Sequence, residues 1–163
     1  MENGNKAGVN KLYLFVVLAF SLFLPALSVL SEWLITKNPP DPLALIGKWF
    51  IFWAVGVRLL MAGLRQVFNP AFTAKDIFHI DHAASHAIVR ELGFANICFG
   101  LIGVISLFLP AWRLVSAFGS GLYYGIAGVN HFVRKGLSAN ETVAMVSDIF
   151  IFLILTVYMV RIV

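Results

Sequence analysis

The chain has 163 residues, of which 60% are hydrophobic and only 12% charged, with a mean hydropathy of +0.89. A soluble domain keeps roughly a quarter of its residues charged, so this composition indicates an integral membrane protein of a single domain spanning 1–163. The net charge of +4 is small and spread along the chain, which fits basic loops at a membrane face and argues against a nucleic-acid partner.

Residues 1–10 are polar. Lys6 and Lys11 precede an apolar run that exceeds the roughly 7–15 residues of a signal peptide's core, and Ala26-Leu27-Ser28 is a poor cleavage site. The expectation is an uncleaved first span over 12–36, bent at Pro25 and ended by Asn38-Pro39-Pro40. Asp41 then serves as N-cap, with Pro42 at the first helical position, for a second span over 43–68. Arg58, Ala62 and Arg65 share one face of it, and Arg58 lies about ten residues in, or roughly 15 Å from the end. The sizeable connection after this span contains Thr73-Ala74-Lys75-Asp76, a capping pattern for a short interfacial helix over 74–79.

Asp81 is positioned to cap a third span over 82–109, longer than the roughly 20 residues a bilayer needs. Asn96, Gly100 and Gly103 share a face suited to close helix packing. A turn at Pro110 leads into a fourth span over 111–135, with Gly121, Gly125 and Gly128 in one stripe and Gly136 as its C-cap. Ser138-Ala139-Asn140-Glu141 is a capping box for the last span, 139–162. The fold class is thus an all-α integral membrane bundle of five spans, the last four forming the packed unit. Lys6, Lys11, Arg65, Lys75, Arg134 and Lys135 fall on one side, against Lys37, Arg113 and Arg161 on the other, with Lys48 at the boundary. The positive-inside rule then places the N-terminus in the cytoplasm and the C-terminus outside a cell inner membrane. Trp33, Trp49 and Trp112 would form a belt on the outer side, with Trp53 one turn deeper.

With these spans, Arg58, Glu91, His131 and Asp148 all fall in the cytoplasmic half of the bilayer. Ionisable groups at that depth are expensive and mark functional sites. Arg58, Glu91, Asn96, Tyr124, Asn130, His131 and Asp148 are therefore the candidate binding or proton site, with Arg58 as counter-ion to Glu91 or Asp148. The alternative is an Arg58–carboxylate network that only fixes helix register. His82 and His86, at i and i+4, are weak metal candidates because Arg90 continues the same face. A haem on His131 lacks an evident second ligand. No serine or cysteine stands in a recognisable nucleophile motif, Cys98 is the only cysteine, and no glycine loop suits phosphate.

Glu91-x-Gly93-x-Ala95-Asn96-Ile97-x-x-Gly100, the glycine-rich span ending in His131, and Asp148-Ile149 carry a resemblance. Over roughly residues 45–160 the chain resembles an uncharacterised family of small prokaryotic integral membrane proteins, a domain of unknown function. Its helical pattern is similar to that of DoxX-like proteins. The resemblance implies that Glu91, Asn96, His131 and Asp148 match the family's polar positions, and it implies no known reaction. The turn His79-Ile80-Asp81-His82 departs from the tryptophan-containing turn of those relatives. Three functions stand as expectations: binding or conduction of a small molecule or proton, an accessory subunit packing on a membrane partner or a second copy, or a quinone- or haem-linked redox component.

Overall fold

The computed structural model describes residues 8–162 except 79 and 81, and except the side chain of 76. Among the described residues it is all-helical. In chain order the helices are α1 (Lys11–Ile35), α2 (Pro42–Phe68), a short α3 (Pro70–Phe72, prolonged by the wide turn Thr73–Ile77), α4 (Ser85–Ile105), α5 (Trp112–Val133) and α6 (Ala139–Ile162). Among the described residues four helices, α1, α2, α4 and α6, are long and apolar enough to cross a membrane. The 22-residue α5 is of spanning length but carries the glycines, serines and tyrosines that hold its hydropathy down. The described helices thus bear out an all-α bundle in which four helices are long and apolar enough to cross a membrane, one fewer than the five spans expected.

Local sequence signals account for most helix boundaries. Asn10 caps α1, its Oδ1 accepting from the Tyr13 N–H at 3.0 Å. Asp41 Oδ2 accepts from the Ala44 N–H at 3.3 Å, and Pro42 takes the first turn, where a missing N–H removes nothing. The capping box of α6 closes in both directions: Glu141 N–H donates to Ser138 Oγ at 3.1 Å, and Ser138 N–H donates to Glu141 Oε2 at 2.9 Å. Arg134 Nη1 approaches the other oxygen, Oε1, at 2.9 Å as a charge contact off the hydrogen-bonding axis.

Several boundaries differ from expectation. The helix of the connection begins at Pro70, directly after α2, because Asn69-Pro70 restarts the chain before the Thr73 pattern is reached. The expected cap Asp81 lies outside the described residues, and α4 starts at Ser85. It ends at Ile105 rather than at Pro110, since Ser106 Oγ donates back to the Gly103 carbonyl at 2.7 Å and Arg113 Nε takes the Ser106 carbonyl at 3.2 Å. Gly136 adopts φ 76° in the turn beyond Arg134 and does not itself cap α5. Pro25 is preceded by a π-type turn, Ala19–Phe23. A proline withholds its N–H and crowds the carbonyl four residues back, and widening the helix relieves both effects.

Packing is organised in two helix pairs, α2 with α4 and α5 with α6. In the first, backbones meet through glycine. A Cβ at Gly100 would lie 2.5 Å from the Leu60 nitrogen, and one at Gly103 would lie 2.6 Å from the Gly56 nitrogen. In the second, Gly125 and Gly128 receive the side chains of Phe152 and Ile149. Such contacts replace the hydrophobic drive that lipid cannot supply. Between the pairs lies a core of Phe50, Ile51, Ala54, Val55, Leu59, Ala117, Tyr124, Ile151, Leu155 and Tyr158.

The first helix is tied to this unit by polar contacts along one face. Glu32 accepts from Lys48 Nζ at 2.7 Å and from Trp49 Nε1 at 2.7 Å. Trp53 Nε1 donates to Ser28 Oγ at 2.9 Å. Trp49 and Trp53 therefore turn their N–H groups inward to α1, leaving Trp33 and Trp112 as the more exposed indoles. Asn10 N–H donates to Asn140 Oδ1 at 2.9 Å, which fastens the start of α1 to the start of α6.

Candidate functional site

Arg58 is the junction of the bundle. It comes directly after a second π-type turn, Ile51–Val57, in the middle of α2. Such turns shift the helical register by a residue and recur at functional sites. The guanidinium donates through Nη1 to Ser21 Oγ of α1 at 3.0 Å. Through Nη2 it donates to Ser147 Oγ at 2.9 Å and to Asp148 Oδ1 at 3.1 Å, both on α6. It also stands 5.4 Å from the centre of the Tyr124 ring on α5. Arg58 and Asp148 expose only 11% and 12% of their side chains, so this is a largely buried ion pair joining four helices. Tyr124, fully enclosed, donates its hydroxyl to the Ala54 carbonyl within the widened turn at 2.6 Å. Ser147 Oγ in turn donates to the Ala144 carbonyl at 2.8 Å.

Beside this junction is a cavity of about 530 Å³, within the range that takes a drug-sized molecule. Its walls come from Tyr13, Val16 and Val17 of α1, Leu92 and Asn96 of α4, and Tyr123 and Ala127 of α5. Arg58 and Asp148 line it too, as do Phe72, Thr73 and Ile77 of α3. Met61 and Arg65 of α2, with Ile126 and Asn130 of α5, line it while remaining exposed, which marks them as its rim. Arg65 is further held by stacking on Phe72, with its guanidinium carbon 3.4 Å from the ring centre.

Two side chains in the cavity wall have polar atoms without partners among the described residues. His131 is 8% exposed, and its Nδ1 has no hydrogen-bond partner. Its ring stands within electrostatic range of the Asp148 carboxylate. Asn96 is 4% exposed; its Nδ2 donates to Gln66 Oε1 at 2.7 Å, while its Oδ1 is unpartnered. Buried polar atoms are paired in the great majority of cases, so two orphans on one cavity wall call for an explanation.

Six of the seven candidates from the sequence, Arg58, Asn96, Tyr124, Asn130, His131 and Asp148, gather at this cavity. Glu91 does not. It is exposed on α4, whose buried face carries Val89, Gly93, Asn96, Gly100 and Gly103, and it makes no contact with Arg58. The partner of Arg58 is Asp148. The weak metal candidates are apart from the cavity: His82 Nδ1 accepts from the Ala84 N–H at 3.2 Å in the turn before α4, and His86 lies in the first turn of that helix. Among the described residues no three His, Cys, Asp or Glu side chains form a metal-binding group. Sequence reasoning passed over Ser21, Tyr13, Gln66, Tyr123 and Ser147. Gln66 had a legible signal, a polar residue beside Arg65 on the face that continues from Arg58. The serines had none, since a serine in an apolar helix is unremarkable.

The model of a family of unknown function, DUF6790, matches residues 10–162. The chain belongs to this family. The match takes in all five long helices, and with them every residue named at the DUF6790 cavity. No curated protein and no solved structure matches the chain.

Proposed function

We propose that this DUF6790 protein is a membrane-embedded binding module that holds a small molecule in the cavity between α1, α2, α4 and α5. The observation that carries this reading is the pair of buried, unpartnered atoms, Asn96 Oδ1 and His131 Nδ1, on the wall of a 530 Å³ space. A bound molecule would supply the hydrogen bonds that the protein leaves unmade. The Arg58–Asp148 pair has a different part. Its hydrogen bonds are used to hold α1 and α6 against α2, so it fixes the end of the cavity and its register.

In this reading α5 is a fifth span, sheltered from lipid on its glycine and tyrosine face by α6 and the core. The N-terminus then lies in the cytoplasm, and the cavity opens on that side, where the basic residues Lys11, Arg65, Lys75, Arg134 and Lys135 gather. The short α3 lies at the same interface. The test is native mass spectrometry of the protein extracted in lipid nanodiscs without detergent. Wild type is expected to retain a small molecule that is lost on Ala127→Phe, which fills the cavity wall. Identical spectra from both proteins would overturn the proposal.

A further inference from the structure

The charges and orphans around the cavity specify more than a neutral guest. Two guanidinium groups line the space, and among the described residues they face one carboxylate, Asp148. That carboxylate is taken by Arg58 at 3.1 Å. Arg65 has no carboxylate partner among the described residues and is held at the rim by Phe72 alone. Among the described residues, the charge of the cavity left without a partner is therefore a cation at its mouth, Arg65.

Asn96 is fixed at the same height. It bonds to Gln66, the residue next to Arg65 on α2, and presents its Oδ1 unpartnered. An amide oxygen can only accept, so a guest satisfying it must donate. Beyond this polar level the wall becomes apolar through Val16, Val17 and Leu59. An arginine at the rim, an acceptor beside it and an apolar recess behind them define one chemical class.

Building on the small-molecule reading above, we propose that the cavity takes an organic acid with an apolar body and a hydrogen-bond donor close to its acid group. The acid is held by Arg65, the donor by Asn96 Oδ1, and the body by the apolar wall. Such acids occur both as hydroxylated fatty acids of the bilayer and as soluble hydroxy acids; the recognition chemistry is shared.

The test is calorimetric binding to the full chain in nanodiscs with four probes. The first two, 2-hydroxydecanoate and 3-phenyllactate, are a lipid-like and a soluble 2-hydroxy acid. Methyl 3-phenyllactate lacks the charge, and 3-phenylpropionate lacks the donor. Both hydroxy acids are expected to bind, the tighter one identifying the source. Arg65→Gln, at an exposed position, should weaken each by about tenfold or more, since a charge-assisted contact is lost, and Arg65→Lys should restore part of it. The ester and 3-phenylpropionate should bind more weakly than 3-phenyllactate to wild type and should not respond alike to the variant: only the acid should lose affinity on Arg65→Gln. Equal binding of ester and acid, or Arg65→Gln without effect, would overturn the assignment of an acid. Equal binding of 3-phenylpropionate and 3-phenyllactate would overturn the donor at Asn96. If the ester binds as tightly as the acid and Ala127→Phe abolishes both, the cavity still binds small molecules and only the ligand class is wrong. If no probe binds, this inference fails, and the native mass spectra decide separately whether the binding module stands.

Discussion

Replacing Arg58 with methionine keeps much of the side chain's length and apolar stem while removing the charge. The change leaves the Asp148 carboxylate, 12% exposed, without its cation, and Ser21 and Ser147 without their donor. Breaking a buried pair from one side costs about 3–5 kcal/mol, because an uncompensated charge stays in a poorly solvated site. Asp148→Asn should cost a similar amount, as it strands the guanidinium. Arg58→Met combined with Asp148→Asn removes both charges, so its destabilisation should fall at least about 2 kcal/mol short of the sum of the singles. Reversible unfolding in mixed micelles, monitored by helical circular dichroism, gives all three values. Glu91→Gln is the internal control: on the exposed face of α4 it should change stability by no more than about 0.5 kcal/mol and should be additive with Arg58→Met. Additive behaviour of Arg58→Met with Asp148→Asn would refute the pairing, and coupling to Glu91 instead would refute the orientation of α4.

Gly100→Ala should be strongly destabilising because its Cβ would meet the Leu60 backbone, whereas Gly121→Ala, with only ordinary contacts at 3.6 and 3.7 Å, should be tolerated; thermal unfolding in detergent separates them. Ser138→Ala opens the capping box at the start of α6 and should cost about 0.5–2 kcal/mol in the same unfolding assay, while Thr142→Val, whose hydroxyl only bonds the carbonyl four residues back, should cost less. Reporter fusions after Arg65 and after Val163 should report the cytoplasm and the opposite compartment respectively. Matching compartments would mean that one of the five helices does not cross.

The extent to which the site was legible in the sequence depends on the information that periodicity encodes. Position along a span gives height, and it put Arg58, Glu91, His131 and Asp148 in one slab. Height carries no azimuth. Glu91 lies at the same level but two residues from Gly93, about 200° around the helix, which turns it away from the cavity. The face containing Asn96, Gly100 and Gly103 was readable because small residues recur at helical spacing, and it is the face that meets α2. The wide turns at Ala19–Phe23 and Ile51–Val57 were not readable beyond the proline after the first, and each rotates the remainder of its helix. The contribution of α1 was missed for a related reason. Its apolar run suggested a helix beside the packed unit, yet Tyr13 and Val17 line the cavity and Ser21 holds Arg58.

The central claim is that Asn96 Oδ1 and His131 Nδ1 face a guest and not a void. Its most direct test is an experimental density map of the protein taken from native membranes into nanodiscs without washing. The account predicts density for a discrete molecule within hydrogen-bonding distance, about 2.7–3.2 Å, of both atoms and reaching towards Arg65. A cavity closed by its own side chains, with Nδ1 and Oδ1 paired to other groups of the chain, would contradict it.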